Sequence, residues 1–131
     1  MTAKRGLRRS PAWIGRYGEE TAASWLRAKG YRILRRNFRL GTDGEIDLVC
    51  RDGDTLVFAE VKTRTRSDYG SPGRAVDAAK RKLLRRGARR WLHLLKRETP
   101  YRFDIVEIVL RDGRKPSMRL RQNAFAMREK S

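Results

Sequence analysis

Residues 44–62 read GEIDLVCRDGDTLVFAEVK, two short apolar segments around an Asp52-Gly53 pair, and no other stretch limits the fold so tightly. Runs of Ile, Val, Leu and Phe of this length suit strands, and Asp-Gly between two such runs is a strong hairpin signal. With Arg51 opposite Asp54, Ile46, Leu48 and Cys50 share a face with Thr55, Val57, Ala59 and Val61, an apolar surface suited to a core. The other face carries Glu45, Asp47 and Val49 beside Leu56, Phe58, Glu60 and Lys62. In this register Asp47 is opposite Phe58 and diagonal to Glu60, and Glu45 is directly opposite Glu60. Like charges opposed across a ladder are destabilising, so three carboxylates at one end of a hairpin call for a cation. An all-oxygen set with no His or Cys nearby points to Mg²⁺ or Mn²⁺ rather than zinc. Lys62, two residues after Glu60 on the same face, is placed to orient or deprotonate an attacking water, which is equipment for metal-assisted phosphodiester hydrolysis. A lone ExK in a strand would be explained by a surface salt bridge from Lys62 to Glu60 or Asp47; GEID, a turn and EVK together are more specific.

GEIDLV followed by FAEVKTR resembles the YraN family of small bacterial proteins, which is similar in its core to archaeal Holliday junction resolvases and the PD-(D/E)xK nuclease superfamily. GRYGEETAASWLRAKGYRIL before the hairpin, and RFDIV and NAF after it, belong to the same resemblance, which spans residues 15–125. It implies a restriction-endonuclease-like α/β fold, DNA as the partner, and work on branched or recombination and repair intermediates. In that pattern Asp47 and Glu60, with the backbone carbonyl of Val61, bind Mg²⁺ or Mn²⁺. Lys62 is catalytic, and Glu19, the acid of the GE pair, approaches from the first helix. Glu45 is either an auxiliary ligand or a partner of the basic loop. Lys80 falls where the family carries a helix lysine. Related resolvases work as dimers, so the resemblance also raises a homodimer.

The chain has 131 residues, the length of one domain with one core. Its 33 Lys and Arg against 15 Asp and Glu give a formal net charge of +18, which calls for a polyanionic partner, nucleic acid first. DNA is the favoured ligand, and RNA stays open because no aromatic stacking platform is legible. No apolar run approaches a membrane span. The basic start lacks the apolar core of a signal peptide, so the expected location is cytoplasmic. The single cysteine, Cys50, sits on the apolar face and reads as a buried thiol.

Residues 1–11 read as a basic flexible arm, 12–126 as one endonuclease-like domain, and 127–131 as a polar tail. Apolar spacing predicts a first helix over 12–29, closed by Gly30. A strand follows over 31–38, with Asn37 either serving the site or ending the strand. The hairpin comes next. The Gly- and Pro-containing stretch after Lys62 reads as a polar loop beside the site, from which Arg64 and Arg66 reach phosphate. A second helix over 74–97 has Val76, Ala79, Leu83, Ala88, Trp91 and Leu92 on one face. The rest of it is crowded with bases, of which Lys80, Arg81, Arg85 and Arg89 are candidate nucleic-acid contacts. Strands over 101–110 and 118–125 complete a mixed α/β sheet of order α-β-β-β-α-β-β. Asp104, within an apolar strand, needs a partner, and an Arg bridge suits it better than a metal. The leading expectation is a Mg²⁺-dependent DNA endonuclease. A non-catalytic nucleic-acid-binding module that recruits a DNA-processing protein is the alternative.

Overall fold

The computed structural model describes residues 11–42, 44–65 and 78–128. Helix α1 (Pro11–Ala28) forms along a stripe in which Ala22, Ala23 and Leu26 are buried and Ile14, Tyr17 and Trp25 pack beside them. Gly30, at φ 98°, ends it. The Tyr31 N–H donates to the Leu26 carbonyl and the Gly30 N–H to that of Arg27, both at 2.9 Å, the two bonds of a Schellman cap.

The remaining elements are β1 (Arg32–Arg39), β2 (Glu45–Asp52), β3 (Thr55–Thr65), α2 (Ala78–Leu95), β4 (Tyr101–Leu110) and β5 (Ser117–Phe125), so the order is the expected α-β-β-β-α-β-β. They make one five-stranded mixed sheet, β1-β2-β3-β4-β5. Only β3 and β4 pair in parallel, and α2 lies in the crossover that a parallel pair requires. Strand alternation divides the core in two. Leu48, Cys50, Val57, Ala59, Val106 and Ile108 meet α1 on one side. Val49, Phe58, Phe103 and Ile105 meet Leu84 and Ala88 of α2 on the other. Full burial of a side chain such as Phe58 or Phe103 contributes about 2–3 kcal/mol.

The hairpin register differs from expectation by two residues. Asp52 pairs with Thr55 and Arg51 with Leu56, so Gly53-Asp54 is the turn, with Gly53 at φ 62°. A glycine-first turn is the composition of type II′. Asp52 joins the ladder because Arg102 Nη2 holds its Oδ2 at 2.9 Å, a contact between distant segments. A shift of two preserves which residues share a face, with one exception. Ile46 packs with Phe38, Leu84 and Phe58 on the α2 side while Leu48 faces α1. Strand β2 therefore turns over at Asp47, in the region where β1 carries Asn37 at φ 53°.

Smaller boundaries move as well. The first strand starts one residue later than expected. Pro11 is helical, and the rest of the anticipated arm, 1–10, lies outside the described residues, as do the proposed helical residues 74–77. Helix α2 ends at Leu95 rather than 97, with Lys96 at φ 57°. Met127 packs against the α2-side core instead of opening a polar tail. Asp104, 1% exposed, is bridged by an Arg: Arg102 Nε lies 3.0 Å from its Oδ1, and the Asn123 N–H donates to the same oxygen at 2.9 Å. Cys50 is buried, and burial pushes its thiol up to about 12. No helix among the described residues is long and apolar enough to cross a membrane.

Candidate active site

Asp47 and Glu60 come together where β2 and β3 part. The paired ladder stops at Leu48 and Ala59, and one step beyond it the Val61 N–H donates to Asp47 Oδ2 at 2.8 Å. The two-residue register change has a chemical consequence. Asp47, rather than Glu45, is the acid across from Glu60. Both are nearly inaccessible, 8% and 4% exposed, and their carboxyl groups share a hydrogen bond. Burial first, and the Asp47 charge second, raise the Glu60 pKa to about 9, so at neutral pH this acid keeps its proton. Glu60 Oε1 is buried with no hydrogen-bond partner among the described residues.

A third acid arrives from α1. Gly18 sets the helix directly against β3, since a side-chain carbon there would overlap Thr63 Oγ1. Glu19 is thereby brought to Asp47. Burial and then the Asp47 charge raise its pKa, while a hydrogen bond with Asn37 and the charges of Arg39 and Arg36 act in the opposite direction.

Two lysines attend these acids. Lys62 is half-buried on β3, opposite Glu107 of β4 in the parallel ladder, and its charge acts on Glu60. Lys80 enters from α2, with Nζ 2.8 Å from Glu45 Oε2 and 3.7 Å from Glu60 Oε2. Burial disfavours its charge, but the hydrogen bond to Glu45 and the charges of Glu60 and Asp47 outweigh that, and its pKa is raised. Glu45 is correspondingly lowered, first by the Lys80 hydrogen bond, and it also lies 3.6 Å from Arg39 Nη1. Glu45 thus has a basic partner in a helix lysine and another in an arginine of β1, while most of the basic loop expected beside it lies outside the described residues.

Among the described residues no three Asp, Glu, His or Cys side chains are gathered as a ready ligand set for a metal ion. The donor chemistry nonetheless fits a hard divalent cation. Two buried carboxylates are pressed together with a proton and a neighbouring ammonium offsetting their charge, one oxygen has no partner, and neither sulfur nor imidazole stands among them.

The expected nucleic-acid contacts are redistributed. Arg64 is buried, with Nε 3.1 Å from Glu107 Oε2. Arg85 is buried too, giving its Nε–H to the Ala126 carbonyl at 2.9 Å and lying over the Phe125 ring. Arg81 lies over the same ring. Arg81 and Arg85 are one turn apart on the side of α2 that meets the end of β5, so apolar neighbours claim their stems. Lys80 belongs to the acid cluster, Arg89 is exposed, and Arg66 lies outside the described residues. Sequence reading gave no role to Arg36, Arg39 or Glu107. Their only signal is the twist of β1 and the parallel pairing of β3 with β4, neither of which is local.

The family model that matches residues 18–108 describes an uncharacterised protein family, UPF0102. A UPF0102 protein of Symbiobacterium thermophilum is 50% identical over 113 residues, covering 86% of this chain and 95% of its own length. One from Beutenbergia cavernae is 56% identical over 79 residues, 60% of this chain and 66% of its own. A third, from Trichlorobacter lovleyi, is 41% identical over 114 residues, covering 86% and 89%.

Proposed function

The chain belongs to the uncharacterised protein family UPF0102, and from the geometry of its acid cluster we propose that it is a metal-dependent nuclease that hydrolyses DNA phosphodiester bonds, acting on branched or repair intermediates. The observation that carries this reading is the buried Asp47–Glu60 pair, with Lys62 two residues along the same strand. Two acids forced into contact in a low-dielectric site are a poor arrangement for stability alone, and such groups concentrate at functional sites. Asp47 and Glu60 would hold a Mg²⁺ or Mn²⁺ ion, with the Val61 carbonyl beside them and Glu19 completing the acid ring directly or through water. When bound, the ion supplies a Lewis acid for the phosphate and makes water easier to deprotonate. Lys62 orients the attacking water and stabilises the negative charge that grows on the phosphate oxygens. The basic surface supplies affinity for the polyanion.

The test is cleavage of branched and single-stranded DNA with Mg²⁺ or Mn²⁺ by wild type, Asp47→Asn and Lys62→Ala. Wild type alone should cut, with each variant down at least about a hundredfold; equal activity in all three ends the proposal. One observation favours a second reading, a nucleic-acid-binding module without catalysis: Lys80 already offsets the acids from within the protein. That module would bind DNA in a salt-sensitive way, unchanged by Asp47→Asn and metal chelation, and cut nothing.

A further inference from the structure

Strand β1 is one edge of the sheet, and its sequence RILRRNFR contains four arginines and no acid. Arg32, Arg35, Arg36 and Arg39 are all exposed. An irregularity between Ile33 and Arg35 breaks simple alternation. Arg35 falls beside Val49, which faces α2, and Arg36 beside Leu48, which faces α1. The guanidinium groups are thus spread around the outer edge instead of along one face.

The series leads to the acid cluster. Arg39 is paired in the ladder with Glu45 and lies 3.6 Å from its carboxylate, and the charges of Arg39 and Arg36 both act on Glu19. An exposed edge ordinarily invites another strand, but a row of arginines repels a second copy of itself. Like charges this dense oppose the folded state, and a polyanion relieves them. Arginine presents a planar fork that matches phosphate in two-point contact. At about 3.3 Å per residue, Arg32 to Arg39 spans about 23 Å, the axial length of about seven base pairs of duplex DNA at 3.4 Å each.

We propose that the β1 edge is a docking rail for the backbone of duplex DNA, lying along about seven base pairs on one side of the point where the backbone meets the acid cluster. This deepens the nuclease reading and rests on it for the meaning of that point. The rail itself can be measured without cleavage.

The experiment measures binding of a fluorescent 30-base-pair duplex by the full chain carrying Asp47→Asn, in EDTA, across a series of salt concentrations. Neutralising β1 with Arg32→Ser, Arg35→Ser and Arg36→Ser should weaken binding at least about tenfold at 0.1 M salt and lower the log–log salt slope by about 3. Replacing the same three with lysine should hold affinity within about threefold, which separates charge from any folding defect in the serine variant. A control removes equal charge at the opposite end of the sheet order: Arg111→Ser, Arg114→Ser and Lys115→Ser, in the exposed turn between β4 and β5. Its loss should be under about threefold. Equal losses from both neutralised variants would mean bulk charge alone and would overturn the rail, as would unchanged binding by the β1 variant. If wild type cuts DNA and the β1 variant binds normally, the rail fails and the nuclease stands. If wild type cuts nothing yet the β1 variant loses affinity, the rail stands and the nuclease falls.

Discussion

Glu60 is the residue on which the chemistry of the site can be read as stability. In the folded chain it keeps its proton to about pH 9, against an ordinary 4.5. Between those values the folded state holds a proton that the unfolded state has released, so stability falls as pH rises through the window and is fully retained below pH 4.5. Glu60→Gln carries an amide that can still donate to Asp47 but never becomes a second negative charge. In metal-free buffer the variant should melt at least about 10 °C above wild type at pH 8, with the difference shrinking towards pH 5. Thermal melts of both proteins from pH 5 to pH 9 check this, and parallel curves would show that folding does not raise the Glu60 pKa. The conflict was partly visible in the chain, because acids recurring in an apolar hairpin announce it. Which acid faces which was not visible, since that depends on Asp52 being drawn into the ladder by Arg102 from β4.

At the scale of elements, two glycine contacts bring the helices close enough to deliver Glu19 and Lys80. Gly18 presses α1 onto Thr63, and Gly87 of α2 meets Gly44 just before β2. A side-chain carbon on Gly44 would lie 2.7 Å from the Gly87 nitrogen and 3.0 Å from its Cα, both backbone atoms with little freedom to yield. Gly44 is also at φ 156°. Gly41, in the same connection, sits at φ 60° with nothing within 4 Å of the corresponding position. Gly44→Ala should therefore cost about 3 kcal/mol, combining backbone strain with a helix forced outward, while Gly41→Ala costs about 1 kcal/mol from strain alone. Urea unfolding of both variants distinguishes them; similar losses would mean that the helix contact is slack. The Schellman close of α1, the two strands of the hairpin and the apolar stripe of α2 were legible, because each is set by residues a few positions apart. The reversal of β2 at Asp47 was not, because it puts Ile46 where long-range packing against Phe38 and Leu84 decides its face.

Across the whole molecule, the helices lie on opposite faces of one sheet, and the acids gather where β2 leaves β3, with α1 supplying Glu19 and α2 supplying Lys80. The acid cluster is therefore tied to every layer of the fold, and filling it with a cation should stabilise the chain as a unit. A ligand that binds only the folded state adds about 2.7 kcal/mol at a hundred times its dissociation constant, roughly 8–14 °C in melting temperature for a domain of this size. Excess Mn²⁺ should produce such a rise in wild type, and EDTA should reverse it. Asp47→Asn, which keeps the shape and removes a ligand charge, should show almost none. Lys80→Met should respond differently. Without its ammonium the acids lose an internal partner, so the metal-free protein should melt lower than wild type. An arriving divalent ion no longer meets a like charge near Glu60, so its affinity should rise about tenfold. Calorimetric titration of Mn²⁺ into wild type, Asp47→Asn and Lys80→Met gives the affinities, and melts with and without the ion give the stabilities. If Lys80→Met bound Mn²⁺ more weakly than wild type, the lysine would be a support for the ion site rather than a rival to its occupant. Equal Mn²⁺ binding by Asp47→Asn and wild type would place the ion elsewhere on the surface and leave the acid pair without a cation to hold.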